Sequence, residues 1–314
     1  MALLSHIRRI SIAISVVGAM PPAVLALTQT GGAWIGDDAR VMLYDASNPG
    51  RPVLTRQTEV LTQAGAFVFA HDSLFVAAGA EIRRYVRRDL SQPANGTWSG
   101  SAPVLALADA TERGLVLVLD ATALRLVRFS DVGAPATLWS FPVGAGQVVA
   151  NPGRLLVRDG NRAFVADASI PGLRLVSIDP ETPPTTIAIY SSPDGAIHDL
   201  ALWGRRLTLA TESGIAVLNV SAGDAPTIER VGALATDRVP TRVDANSKYA
   251  LVADGQNLTV VDVDPSSPGF LAGSVDDWQA GGDVRSVRLD KGTRGYVLVD
   301  GAYEILDLAA FGGR

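Results

Sequence analysis

One segment of this sequence recurs along the chain with a period that few folds can accommodate. The clearest copy spans residues 249–274 and reads YALVADGQNLTVVDVDPSSPGFLAGS, with two β-branched runs separated by an Asp-Gly turn and followed by a Pro/Ser turn. Seven copies are present, spaced about 41 to 48 residues apart. Equivalent residues near the start of each copy are Ala33, Leu74, Leu115, Ala163, Leu207, Ala250 and Tyr296.

A further apolar run precedes the copies, as at Val104–Ala108 and Asp199–Leu202. Each repeat therefore predicts four short strands, and helical periodicity is almost absent. Four-stranded units at this period are typical of a β-propeller, in which packing around an axis buries the apolar faces of the sheets. We expect an all-β fold, a seven-bladed β-propeller of four-stranded blades, with residues 1–314 forming a single domain.

The N-terminal residues have two interpretations. Residues 9–17, RISIAISVV, alternate as a strand does, and the seventh copy stops before its outer strand. We therefore expect this segment to complete the last blade and close the ring, and Val24–Thr28 to form the inner strand of the first blade. Alternatively, a basic pair followed by an apolar stretch imitates a cleavable leader. Cleavage near Ala26 would leave the ring two strands short, which favours the strand.

Composition excludes several classes of function. The chain has no cysteine, which excludes disulfides, a thiol nucleophile and Cys-ligated metal clusters. Its 27 Lys+Arg against 32 Asp+Glu give a net charge of -5, which argues against nucleic-acid binding. The sequence contains no run of 18 apolar residues, so it predicts no transmembrane helix. We expect a monomer with no cofactor, no nucleic-acid partner and no membrane span.

The copy at residues 249–274 resembles the LVIVD-repeat proteins, whose unit runs Tyr-Ala-x-Val-Ala-Asp-Gly, then Leu-x-Val-Ile-Asp-Val, then Asp-Pro. The likeness covers nearly the whole chain in pattern and is closest in the sixth and first copies. In the second copy, Ala78-Gly79 stands where the family has Asp-Gly. The resemblance implies a propeller of often undefined biochemical role, frequently extracytoplasmic. Because this chain has no clear cleavable leader, its location stays open.

An acidic residue ends the second strand in six of the seven copies: Asp37, Asp120, Asp167, Glu212, Asp254 and Asp300. Such a residue can cap a tight turn through its own side chain, so we expect a structural role. A shallow acidic ring that attracts a cation or a basic partner is the alternative.

Polar side chains should gather where the inner strands begin, because propellers usually bind ligands at the mouth of their central channel. The candidates are His198, Asp199, Gln147, Arg242, Asp283 and Arg285. Arg242 and Arg285 could face an anionic ligand, with Asp283 balancing their charge. The alternative is a water-filled channel with salt-linked walls. No histidine pairs with another at ligand spacing, so no metal site is predicted.

Trp278 falls in the longest predicted loop between blades, residues 274–286. An aromatic ring on a Gly-flanked loop at the mouth could stack on a sugar or anchor a peptide. It could equally cover the junction between two blades.

Two hypotheses follow. The first is a non-catalytic binding or scaffolding propeller that engages a protein or small ligand through its loop face and central channel; the absence of GxSxG, P-loop and HExxH motifs favours it. The alternative is a propeller enzyme of lactonase, hydrolase or lyase type that acts on an anionic or sugar-like substrate. It would use His198 or Asp199 as base, Asp283 as partner and an arginine to hold an anionic intermediate.

Overall fold

The structure is a computed structural model, and all statements below concern the residues that it describes. These residues are 8–13, 24–27, 32–36, 40–45, 53–59, 61, 64–86, 89–90, 94–110, 112–143, 155–158, 161–167, 170, 172–290, 294–300 and 302–308. All of the regular secondary structure within these residues is β-strand, with 28 strands in all. The first of these, β1, is Arg8–Ala13.

The remaining strands fall into sets that occupy the same position in successive sheets. The innermost strands are β2 (Val24–Leu27), β6 (Ala64–Ala70), β10 (Val104–Asp109), β14 (Leu155–Arg158), β18 (Ile197–Trp203), β22 (Arg242–Ala245) and β26 (Val284–Leu289). The second strands are β3 (Gly32–Gly36), β7 (Ser73–Ala78), β11 (Leu115–Asp120), β15 (Arg162–Asp167), β19 (Arg206–Thr211), β23 (Tyr249–Asp254) and β27 (Arg294–Val299).

The third strands are β4 (Val41–Asp45), β8 (Glu81–Val86), β12 (Ala123–Arg128), β16 (Gly172–Ser177), β20 (Gly214–Val220), β24 (Asn257–Asp262) and β28 (Ala302–Asp307). The outer strands are β5 (Val53–Gln57), β9 (Thr97–Ser99), β13 (Ala136–Pro142), β17 (Thr186–Ser191), β21 (Ile228–Ala235) and β25 (Ser274–Gln279).

These strands form seven four-stranded antiparallel sheets. Six of these sheets each consist of four consecutive strands in chain order. We number them first to sixth, from β2–β5 to β22–β25. The innermost strands contact one another in a closed cycle, β2 with β6 and so on to β26, which contacts β2. The prediction of an all-β propeller is confirmed.

The seventh sheet combines both ends of the chain. Its order is β26, β27, β28 and then β1, with Ile10 opposite Ile305 in the antiparallel register of the last pair. The N-terminal segment thus forms an outer strand, as the sequence indicated for residues 9–17, although residues 14–17 lie outside the described ranges. The predicted inner strand at Val24–Thr28 is also confirmed, as Val24–Leu27.

The core lies between neighbouring sheets because each sheet presents an apolar face to the next. All six residues of β7 and all six of β11 are buried, whereas all five residues of β5 are exposed. Phe75 of the second sheet and Val116 of the third belong to one apolar cluster. Leu251 and Val297 join the sixth and seventh sheets in the same way. Burial on both faces explains why the second strands read as continuous apolar runs.

Among the strand-end acids, Asp120 makes the turn that the sequence predicted, whereas Asp300 pairs with an arginine and Asp37 lies outside the described residues. Asp120 is fully buried, and its Oδ1 accepts hydrogen bonds from the backbone N–H groups of Thr122 and Ala123 at 2.8 and 2.9 Å. The Nε of Arg125 donates to its Oδ2 at 2.7 Å. Burial raises the pKa of Asp120, but these donors outweigh it and leave the pKa below its usual range. This carboxylate therefore closes a turn.

Candidate functional site

Five of the six predicted mouth residues lie at the start of neighbouring inner strands. His198 and Asp199 belong to β18 and Arg242 opens β22. Asp283 directly precedes β26, and Arg285 is the second residue of that strand. Gln147 lies outside the described residues. The candidates therefore come from the fifth, sixth and seventh sheets and meet at one side of the ring.

Asp199 joins the fifth sheet to the sixth. Its side chain is buried, and its Oδ2 accepts the backbone N–H of Val243 on β22 at 2.9 Å, while its Oδ1 accepts the N–H of Leu200 at 3.0 Å. Burial raises the pKa of Asp199 to about 6, against the opposing charge of Arg242 and the hydrogen bond from Val243. The carboxylate thus titrates near neutral pH while it bonds to backbone.

Arg242 and Arg285 contact protein groups across the next junction. The Nε of Arg242 donates to the backbone carbonyl of Arg285 at 2.8 Å, and its Nη1 donates to the carbonyl of Thr241 at 2.7 Å. Arg285 forms a two-pronged ion pair with Asp300, at 2.6 and 3.0 Å, and lies 3.9 Å from Asp283. The hydrogen bond that Arg285 donates to Asp300 raises the pKa of Arg285. Arg285 is thus salt-linked to carboxylates of its own sheet, and Arg242 is bonded to backbone carbonyls.

His198 and Arg285 share a backbone feature. The register between the first two strands shifts from Ile197 to Asp199 in the fifth sheet and from Val284 to Ser286 in the seventh, so that each of the two residues is the extra residue of a bulge. A β-bulge redirects its side chain relative to the regular alternation. The sequence pattern of alternating residues gave no signal for these two bulges.

A second buried contact lies deeper along the same inner strands. The Oδ2 of Asp244 accepts the backbone N–H of Leu289 on β26 at 2.7 Å. Burial raises the pKa of Asp244, while Arg288 and the N–H of Leu289 oppose the rise. Aspartates therefore tie the fifth sheet to the sixth and the sixth to the seventh.

The prediction that Trp278 lies in a loop is wrong. Residues 274–279 form the outer strand β25, in which Trp278 stands opposite Leu258 of β24. The indole is half-buried and packs against the apolar cluster between the sixth and seventh sheets. Pairing with β24 holds this segment in an extended conformation although it carries two adjacent acids.

Trp278 also lines a cleft of about 530 Å³ between the fifth and sixth sheets, which we call the 5/6 cleft. The connection from β21 to β22 forms one wall and contributes Asp237 and Arg238. Asp254 and Asp277 line the opposite wall. Sequence reasoning did not single out Asp237, Arg238 or Asp277 because they come from segments far apart in the chain.

Within the described ranges, no group of three or more histidine, aspartate or glutamate side chains is arranged to hold a metal ion. None of those ranges contains a helix with the length and apolarity that crossing a membrane requires.

The ring of four-stranded sheets defines the class of this protein as a β-propeller. Residues 241–277 match the LVIVD repeat family, so the chain carries an LVIVD repeat in its sixth sheet, where the sequence resemblance is closest. No curated protein matches the sequence.

Two solved structures resemble the fold. The first is described as a streptogramin B lyase structure, with a TM-score of 0.69 at 9% sequence identity, covering 96% of this chain and 98% of that one. The second is the computationally designed Ika8 protein, with a TM-score of 0.62 at 11% identity, covering 92% of this chain and 97% of that one. At such identities the likeness concerns the fold alone.

Proposed function

We propose that residues 1–314 form a single seven-bladed propeller that acts as a non-catalytic binding module. It holds a protein or small-molecule partner on its loop face and at the mouth of its central channel. The blade count is supported by the seven sheets and by the closed cycle of contacts between their inner strands.

The observation that carries the binding role is the pairing of the mouth charges with protein groups. Asp199 bonds to the backbone of the next sheet, Arg242 bonds to the carbonyl of Arg285, and Arg285 pairs with Asp300. A catalytic base must be able to exchange its partner for substrate, and breaking the contact of Asp199 would leave buried polar groups unsatisfied, whereas the partly exposed Arg285 can exchange Asp300 for a ligand. The same contacts hold the mouth rigid, which lowers the entropic cost of binding a partner.

Arg285 is the mouth arginine that we expect to contact an anionic ligand, because its side chain is 37% exposed. We expect galacturonate, an anionic sugar, to bind saturably in isothermal titration calorimetry. Arg285→Gln should weaken this binding about fivefold or more. Arg113→Gln, which removes an exposed arginine in the turn between β10 and β11, serves as the matched control.

The competing function is an enzyme of lactonase, hydrolase or lyase type. The pKa of about 6 at Asp199 favours it, because a general base works best when its pKa lies near the operating pH. Hydrolysis of gluconolactone and elimination from a 4-O-substituted methyl galacturonate separate the two functions. Turnover that disappears in Asp199→Asn while the variant stays folded would establish the enzyme and reject the binding module.

A further inference from the structure

The 5/6 cleft lies between residues of the fifth and sixth sheets, and its lining includes none of the mouth candidates. Its base is apolar and includes Ile215 of β20 and Leu258 of β24, and its walls are polar. A volume of about 530 Å³ is within the range of sites that hold a small molecule or one long side chain with its backbone. The cleft can therefore receive a ligand without rearrangement of the ring.

The walls of the cleft carry an excess of negative charge. Three aspartates line it (Asp237, Asp254 and Asp277) against one arginine, Arg238, which leaves two uncompensated negative charges. Arg238 lies 3.7 Å from Asp254, and its side chain is 67% exposed, so this ion pair is weak. The charge balance favours a cationic ligand.

Two of the carboxylates are held in position by neighbouring polar groups. The Oγ1 of Thr259 donates to Oδ1 of Asp277 at 2.7 Å. The Nδ2 of Asn257 donates to Oδ1 of Asp254 at 2.8 Å. Oriented carboxylates recognise a cation at lower entropic cost than mobile ones do. Trp278 lines the same cleft, and an indole attracts cations through its ring face.

The rim of the cleft is apolar, and this favours a peptide ligand over a free amine. Val239 stands between the lining residues Arg238 and Pro240 and is 44% exposed. Val275 follows the lining residue Ser274 and is 41% exposed. Exposed apolar side chains beside a charged pocket are suited to a chain that presents a charged residue with apolar neighbours.

From this arrangement we propose that the 5/6 cleft binds an arginine or lysine side chain presented by a peptide segment of a partner protein. The inference rests on the proposed binding role and gives the partner chemistry of one site on the loop face. The cation lies between Asp237 and Asp277, its aliphatic stem contacts the apolar base, and the flanking peptide covers the two valines.

The test uses capped tripeptides as probes and the full chain as the receptor. Acetyl-Val-Arg-Val-amide is titrated calorimetrically at low ionic strength against its citrulline analogue, which has nearly the same shape and no charge. We expect saturable binding of the arginine peptide, at least tenfold weaker binding of the citrulline peptide, and loss of affinity with added salt. Equal binding of the two peptides, or no binding of the arginine peptide, would overturn the inference.

Variants assign the binding to the cleft. Asp237→Asn combined with Asp277→Asn should weaken binding of the arginine peptide about tenfold, because both side chains are exposed and each removes one attractive charge. Asp224→Asn makes the same change on the exposed connection between β20 and β21 and should leave the affinity unchanged. Undiminished binding by the double variant would overturn the assignment.

The two proposals fail separately. If galacturonate binds at the mouth and the arginine peptide does not bind, the inference about the cleft is wrong and the mouth proposal stands. If neither probe binds saturably, both proposals are wrong.

Discussion

The carboxylate of Asp199 and the backbone N–H of Val243 are joined by a 2.9 Å hydrogen bond that crosses from the fifth sheet to the sixth. Sheets in a propeller meet mainly through apolar side chains, which are not directional. A buried hydrogen bond between inner strands adds a direction and therefore a defined register between blades. Asp244 and Leu289 repeat the arrangement at the next junction.

Asp199→Asn should change the pH dependence of stability. The folded pKa of about 6 exceeds the ordinary 3.8, so the contribution of this group is most favourable below about pH 4 and is lost as pH rises through about 6. The free energy of unfolding of the variant relative to wild type should therefore rise by on the order of 2–3 kcal/mol between pH 4 and pH 7. Urea unfolding at both pH values measures it, with Asp224→Asn as the exposed control. A pH-independent difference would contradict this account.

Asp120→Ala should destabilise the third sheet. The substitution leaves two turn N–H groups without their acceptor and removes the partner of Arg125, at a cost of about 2–4 kcal/mol. Asp120→Asn keeps one acceptor and should cost less. Because the folded pKa lies below the unfolded value, the contribution of Asp120 should be full at neutral pH and decline as pH falls below about 4. Urea titrations of both variants at pH 7 and pH 3 check the order and the sign.

Gly214→Ala should cost far more than Gly204→Ala. Gly214 has φ of 138°, and a Cβ there would stand 2.2 Å from the carbonyl oxygen of Leu234. Gly204 has φ of 60° and nothing within 4 Å of the same position. We expect a loss of about 1 kcal/mol at Gly204 and of more than about 3 kcal/mol at Gly214, measured by thermal and urea unfolding. Similar losses at the two positions would show that the backbone near Leu234 shifts at little cost to make room for the added Cβ.

Removal of residues 1–13 should open the seventh sheet. Without β1 the edge of β28 is exposed, and an exposed edge pairs with other chains. We expect a lower melting temperature and concentration-dependent self-association in size-exclusion chromatography. A synthetic peptide carrying residues 8–13 should restore the monomer by pairing with β28, whereas a scrambled peptide should not. A truncated chain that stays monomeric and equally stable would contradict the role of β1 in closing the ring.

The sequence was sufficient to predict the propeller because the repeat is encoded locally, as turn residues at fixed distances from apolar runs. It also predicted that Asp199, Arg242 and Arg285 lie near the start of neighbouring inner strands, since equivalent positions of a repeat meet in the ring. It could not predict that Asp199 bonds to the N–H of Val243, because backbone groups carry no sequence signal. Trp278 was misassigned because the pattern SVDDWQ departs from simple alternation, and only its pairing with β24 defines it as a strand.

The pairing of β1 with β28 sets an order for biosynthesis. On a ribosome, β1 emerges before any other described strand, and its partner emerges last. The first strand therefore stays without its native pairing partner while the other six sheets form. The seventh sheet is thus completed only after β28 has been synthesised.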